Sequence, residues 1–142
     1  MTLFTYVPFA GISDRKWILA AKSTVTTLVS SFAGAVVAIF QSLYETDGKI
    51  DVLMIINGIL GALVGVTAGC ALVTPVEAVP IGCIGSFLAN ITSKLLLNLK
   101  VDDAVGATCV HGFGGIWSML AIGIFGARDY LEGFLKYDGK PF

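Results

Sequence analysis

His111 is the single histidine of the chain. It sits inside an apolar run of helix length, Ala104 to Phe125, which reads AVGATCVHGFGGIWSMLAIGIF and carries no charged residue. A neutral imidazole offers a lone pair on one ring nitrogen and a hydrogen on the other, so it can accept, donate or relay a proton. Placing such a ring at membrane depth is costly, and a residue kept there marks a functional site by default. At α-helical spacing His111 shares a face with Ala104, Ala107, Thr108, Gly114, Gly115 and Ser118. A face of small residues either admits a close neighbouring helix or leaves room for something to pass the ring. The plainer alternative is a ring that hydrogen-bonds an adjacent helix and packs. Cys70, Cys83 and Cys109 fit no metal-binding spacing and read as small packing residues in or beside apolar runs.

The elements that must position this ring are membrane helices. Hydrophobic residues make up 56% of the 142 and charged residues 13%, against about a quarter charged in soluble domains. A net charge of −1 leaves no electrostatic footprint for a nucleic-acid partner. The sequence predicts an all-α polytopic membrane protein with four transmembrane helices, at about 17–44, 52–72, 78–97 and 103–127, each near the roughly 20 residues a crossing takes. The expected organisation is a non-spanning N-terminal segment, 1–16, a membrane domain, 17–127, and a polar tail, 128–142. Met1 to Ala10 holds no basic residue and Arg15-Lys16 follow it, the wrong order for a secretory leader. The chain is therefore expected to begin inside a larger protein.

Short polar connections, Glu45 to Asp51, Val73 to Glu77 and Asn98 to Asp103, imply antiparallel neighbours. Pro75 is read as stopping the second helix and Pro80 as falling in the first turn of the third, with Glu77 in the turn between. Asp102 or Asp103 suits the N-cap of the last helix, where negative charge also favours the helix dipole. Gly61, Gly65 and Gly69 recur every fourth residue in the second segment, and Gly82 and Ser86 repeat the spacing in the third. In lipid, such spacing lets helix backbones approach closely. Trp117 reads as a core or lipid-facing residue. A count of basic residues alone places both termini in the cytoplasm.

Two stretches together carry a resemblance. Thr67 to Pro75, TAGCALVTP, and Val101 to Gly115, VDDAVGATCVHGFGG, are similar to the ammonium transporter family, the Amt/Mep/Rh group, and closer to its Amt branch. Asn57 to Val64 and Ala20 to Leu28 resemble further family segments in the same order. The resemblance implies an eleven-helix bundle, assembled as a homotrimer in the plasma membrane, with a narrow pore in each subunit for ammonium or ammonia. It implies no cofactor. Two histidines, one from each half of an inverted repeat, touch within that pore, and His111 matches the second. Ala107, Gly114 and Gly115 are expected beside it. Asp102, Asp103, Gly61, Gly65, Gly69 and Pro75 are expected in structural roles. The chain then corresponds to helices seven to ten, without the partner histidine, the vestibule aromatics or the phenylalanine gate. A frequent family asparagine is replaced here by Thr26, which alters the local hydrogen bonding. Family topology puts both termini outside, against the charge count.

The physical problem explains the ring. Ammonium is a hydrated cation and is expensive at membrane depth, whereas neutral ammonia crosses apolar surroundings cheaply. A pore can bind the cation at its mouth, separate the proton and pass ammonia through an apolar tube. No covalent chemistry is needed, so the expectation is a transporter or channel and not an enzyme. The rival readings are a truncated membrane fragment without transport of its own and a subunit that interferes with full-length transporters. The upstream coding sequence discriminates among them.

Overall fold

The computed structural model describes residues 14–101, 103 and 106–126, with side chains from Ala20 onward. The expected tail, most of the expected N-terminal segment, Asp102 and Ala104 lie outside the described residues. Among the described residues four α-helices appear in order: α1 Asp14–Glu45, α2 Val52–Thr67, α3 Pro75–Asn98 and α4 Gly114–Phe125. A π-helical turn, Thr108–Phe113, leads directly into α4. Among the described residues three stretches are long and apolar enough to cross a membrane: Ala20–Glu45, Pro75–Asn98 and Thr108–Phe125.

The remaining helix, α2, is apolar but has 16 residues, about 24 Å of helix at 1.5 Å per residue. The expected second span over 52–72 thus divides into a helix and a run of turns. Gly69 accepts from Leu72 and Val73 as the chain folds back. The turn backbone is held by protein, as irregular backbone in a membrane requires. The Ser118 hydroxyl accepts the Ala68 N–H at 2.9 Å, and the buried Thr26 hydroxyl donates to the Cys70 carbonyl at 2.6 Å. Val73 is buried beneath this turn.

Pro75 does not stop the second helix; it opens the third. Thr74 is the N-cap, and its hydroxyl accepts the Glu77 N–H while the Glu77 carboxylate accepts the Thr74 N–H at 2.7 Å. This reciprocal box satisfies two orphan donors, and Pro75 occupies a first-turn position where its missing N–H costs nothing. Glu77 therefore belongs to α3 and not to a turn. Pro80 falls inside the helix, beyond its first turn.

Glycine and serine set the packing of α1, α2 and α3. A Cβ on Gly61 would lie 2.5 Å from the Ala89 Cβ and 2.7 Å from the Gly85 carbonyl oxygen. A Cβ on Gly85 would meet the Gly61 oxygen at 2.8 Å, and one on Gly58 would meet Ala38 and Ser86 at 2.6 Å. Gly82 faces the Ser30 backbone and Gly34 faces Ala62. At such approach, hydroxyls reach carbonyls on the next helix. Ser30 donates to Ala62 at 3.0 Å, and Ser86 donates to Gly34 at 2.9 Å. In lipid, where apolar surface gains little by leaving the solvent, close packing and such hydrogen bonds are what hold helices together. The small side-chain core is Val66, Val73, Ala78, Ile81 and Ala121, flanked by Val29, Trp117 and Phe125.

Charges close both ends of α1 and α3. Lys22 and Glu77 attract at one end, and Glu45 pairs with Lys94 at the other. Helices α1 and α3 therefore run parallel and in contact, with α2 antiparallel to both and packed against each. The 45–51 connection and the end of α3 fall at one end of the bundle. The 68–77 connection falls at the other.

Candidate functional site

Asp103 builds the entrance to the histidine helix. Its carboxylate accepts the N–H groups of Ala107 at 3.0 Å, Thr108 at 2.9 Å and Cys109 at 3.4 Å, using both oxygens. The next donor, the Val110 N–H, bonds to the Gly106 carbonyl at 3.1 Å. One side chain and one turn thus serve the donors that a helix start leaves open. Gly106 makes the turn in the left-handed region, φ +67°, which L side chains rarely adopt. It sits beside Asn57 of α2, and the Cys109 thiol lies 2.9 Å from its carbonyl.

The helix then widens. Thr108–Phe113 is π-helical, with i→i+5 bonding, and His111 is in its second half. Cys109 and Val110 point into the bundle; His111, Gly112 and Phe113 point out of it. Ala107 and Thr108 are also exposed. Gly114 turns back inside, where a Cβ would meet Val64 at 3.2 Å. Gly115 is half-buried, with open space where a Cβ would stand. Ser118 is buried against Ala68.

The face expected from α-helical spacing is therefore split. Ala107, Thr108 and His111 look outward and Gly115 is half-buried, whereas Gly114 and Ser118 pack against α2 and the turn that follows it. The π-turn is the reason, because an added residue per hydrogen-bonded ring rotates everything after it relative to everything before it. No periodicity in the sequence registers that extra residue. The available signal is compositional: Gly112, Gly114 and Gly115 crowd the segment.

The other singled-out residues have definite places. Gly61 faces Gly85 and Ala89, Gly65 faces Trp117 and Gly85, and Gly69 faces Ile122 and Val73. That ridge is occupied within the chain. The Trp117 indole N–H donates to the Ile81 carbonyl at 3.0 Å, so this ring joins α4 to α3. Thr26, at the departure from the family pattern, ties α1 to the turn after α2. Asn90 of α3 donates to Gln41 of α1 at 3.2 Å, a polar contact that the sequence reading did not single out.

A sequence model of the Ammonium Transporter Family matches residues 8–140. This chain belongs to the ammonium transporter family. It is 42% identical over 104 residues to the ammonium transporter Amt2 of Archaeoglobus fulgidus, covering 73% of this chain and 22% of that protein. Among solved structures it superimposes on a sensor Amt protein with a TM-score of 0.75 at 31% identity, covering 91% of this chain and 33% of the other. It also superimposes on Mep2 of Saccharomyces cerevisiae with a TM-score of 0.75 at 26% identity, covering 81% and 26%. The chain spans about a quarter of the length of the curated relatives it matches. The family and the apolar helices make it an integral membrane protein with the helical fold of these transporters.

Proposed function

We propose that this chain supplies one wall of an ammonium transport path and that His111 is the polar group on that wall. The observation that carries the reading is the placement of His111: outward from the bundle, on a π-turn whose entrance is held by Asp103, in a chain of this family. A polar ring turned out of a membrane bundle is expensive against lipid, so it belongs against another helix or a path. Ala107 and the open Gly115 leave space beside the ring. Gly114, on the inner side, supports the helix from behind. Ammonium gives up its proton to water at the mouth, ammonia passes the apolar wall, and the neutral imidazole accepts a hydrogen bond on one nitrogen and donates from the other along the way. In this reading the complete protein is an eleven-helix homotrimer of the plasma membrane, and this chain corresponds to its helices seven to ten.

Replacing His111 with alanine in the complete transporter tests the assignment. Ammonium uptake is expected to fall, or its selectivity against potassium to change, at unchanged protein level in the membrane. Unchanged uptake together with unchanged selectivity would remove His111 from the path.

A second reading is favoured by the same outward placement. On that reading the described helices present one wall of a path, and the alternative role is a membrane subunit that does not transport by itself. Beside full-length subunits it would displace a normal partner and lower their uptake. Co-expression with a complete relative separates that interfering role from inertness.

A further inference from the structure

We propose that Asp103 is a positioning residue for His111: its carboxylate fixes the rotational register of the π-turn and thereby aims the imidazole. The inference rests on the pore reading above and goes beyond the simple role of a cap. A cap side chain ordinarily serves one orphan donor. Asp103 serves three in succession, on Ala107, Thr108 and Cys109, and both carboxylate oxygens are engaged. With the Val110 donor bonded to Gly106, no donor before His111 is left to choose an alternative partner. The Asp103 backbone is itself pinned, because its carbonyl accepts the Gly106 N–H at 3.0 Å.

The consequence follows from what comes next. The segment Thr108–Phe113 bonds in the wide i→i+5 pattern, while α4 beyond it bonds in the usual pattern. These two patterns differ by one residue per ring. A slip of the first turn into the narrower pattern would rotate His111 against Gly114 and Ser118, which are fixed on α2 and its turn by Val64 and Ala68. The anchor at the front opposes that slip together with the buried Cys109 and Val110, since Gly112 and Gly115 meet little that would resist it. Asp103 therefore acts on the path through His111, eight residues away in sequence and on the far side of the π-turn from α4.

The neutral isostere tests this. Asp103→Asn keeps the size of the side chain but replaces one acceptor oxygen with a donor, so at least one of the three N–H groups loses its partner. In the complete protein, purified and reconstituted in lipid vesicles, the variant is expected to transport about a hundredfold more slowly. Its half-saturation for ammonium is expected to stay within about twofold, because binding at the pore mouth is untouched. Amide hydrogen exchange at Ala107–Cys109 is expected to accelerate while α1 and α3 stay protected.

The double variant with His111→Ala provides the readout that a merely stabilising cap would not move. If Asp103 acts through His111, the double variant is no slower than His111→Ala alone. If the two losses multiply, Asp103 acts on stability and the proposal is wrong. Should Asp103→Asn not accumulate in the membrane, Asp103→Ser keeps one acceptor and carries the same comparison. Wild-type transport in both Asp103 variants, with His111→Ala impaired, would overturn the positioning role and leave the pore reading standing. Wild-type transport in His111→Ala would overturn the pore reading itself.

Discussion

The α1–α3 side of the bundle and the Asp103–Phe125 segment use the same residue for opposite ends. On the first side, glycines are filled by their neighbours: Gly61 and Gly85 leave each other no room for a methyl group. On the second, Gly115 and Gly123 look into open space. The first set holds helices together, and the second leaves open space along the helix that follows His111. The difference teaches that glycine content marks neither packing nor a path in this fold; only the neighbour does.

The comparison breaks most sharply in cells. Expressed alone in a strain unable to take up ammonium, this chain should not restore growth on limiting ammonium. Robust rescue would show that the segment around His111 encloses a path without further helices.

The next largest effects belong to the packed glycines. Gly85→Val should cost several kcal/mol, on the order of the upper range for overpacking, and deplete the folded bundle in detergent unfolding. Gly115→Ala should change stability by less than ~1 kcal/mol, with the gain from helix propensity partly showing. Equal losses at both positions would erase the distinction drawn between the two regions.

Single polar ties come next. Trp117→Phe keeps the ring in place but leaves the Ile81 carbonyl without its donor, at about 1 kcal/mol. The loss should appear as a lower unfolding midpoint with unchanged cooperativity. The smallest effect is expected at the end of the bundle. The Lys94 side chain is 49% exposed, so Lys94→Gln should cost below ~1 kcal/mol, and high salt should erase the difference.

Much of this could be read in the sequence, and the failures have specific causes. The apolar run around His111, the four apolar segments and the close approach implied by Gly61, Gly65 and Gly69 all follow from composition and spacing. The length of α2 did not, because hydropathy continues through Ala68 to Leu72 while the backbone leaves the helix to meet Ser118 and Thr26. Pro75 opens α3, although a proline ends one element or begins another equally well; Thr74 and Glu77, three residues apart, are the signal that decides it. Asp103 was visible as a cap, but its three donors were not, since they depend on the turn at Gly106. The π-turn escaped because an α-helical period was assumed across it, which joined Gly114 and Ser118 to a face they do not share. Thr26, marked only as a departure from a pattern, holds the turn after α2.

The glycine-on-carbonyl packing of α1, α2 and α3 also bears on heat. Glycine and alanine have no rotamers to surrender when helices meet, so these contacts form with little loss of side-chain entropy. They also bury little apolar surface from water, because the alternative surroundings are lipid. The usual source of a large heat-capacity change on unfolding is thus weak here. Helix association in this bundle should vary little with temperature, with a shallow stability curve in place of the steep dome of a water-soluble core.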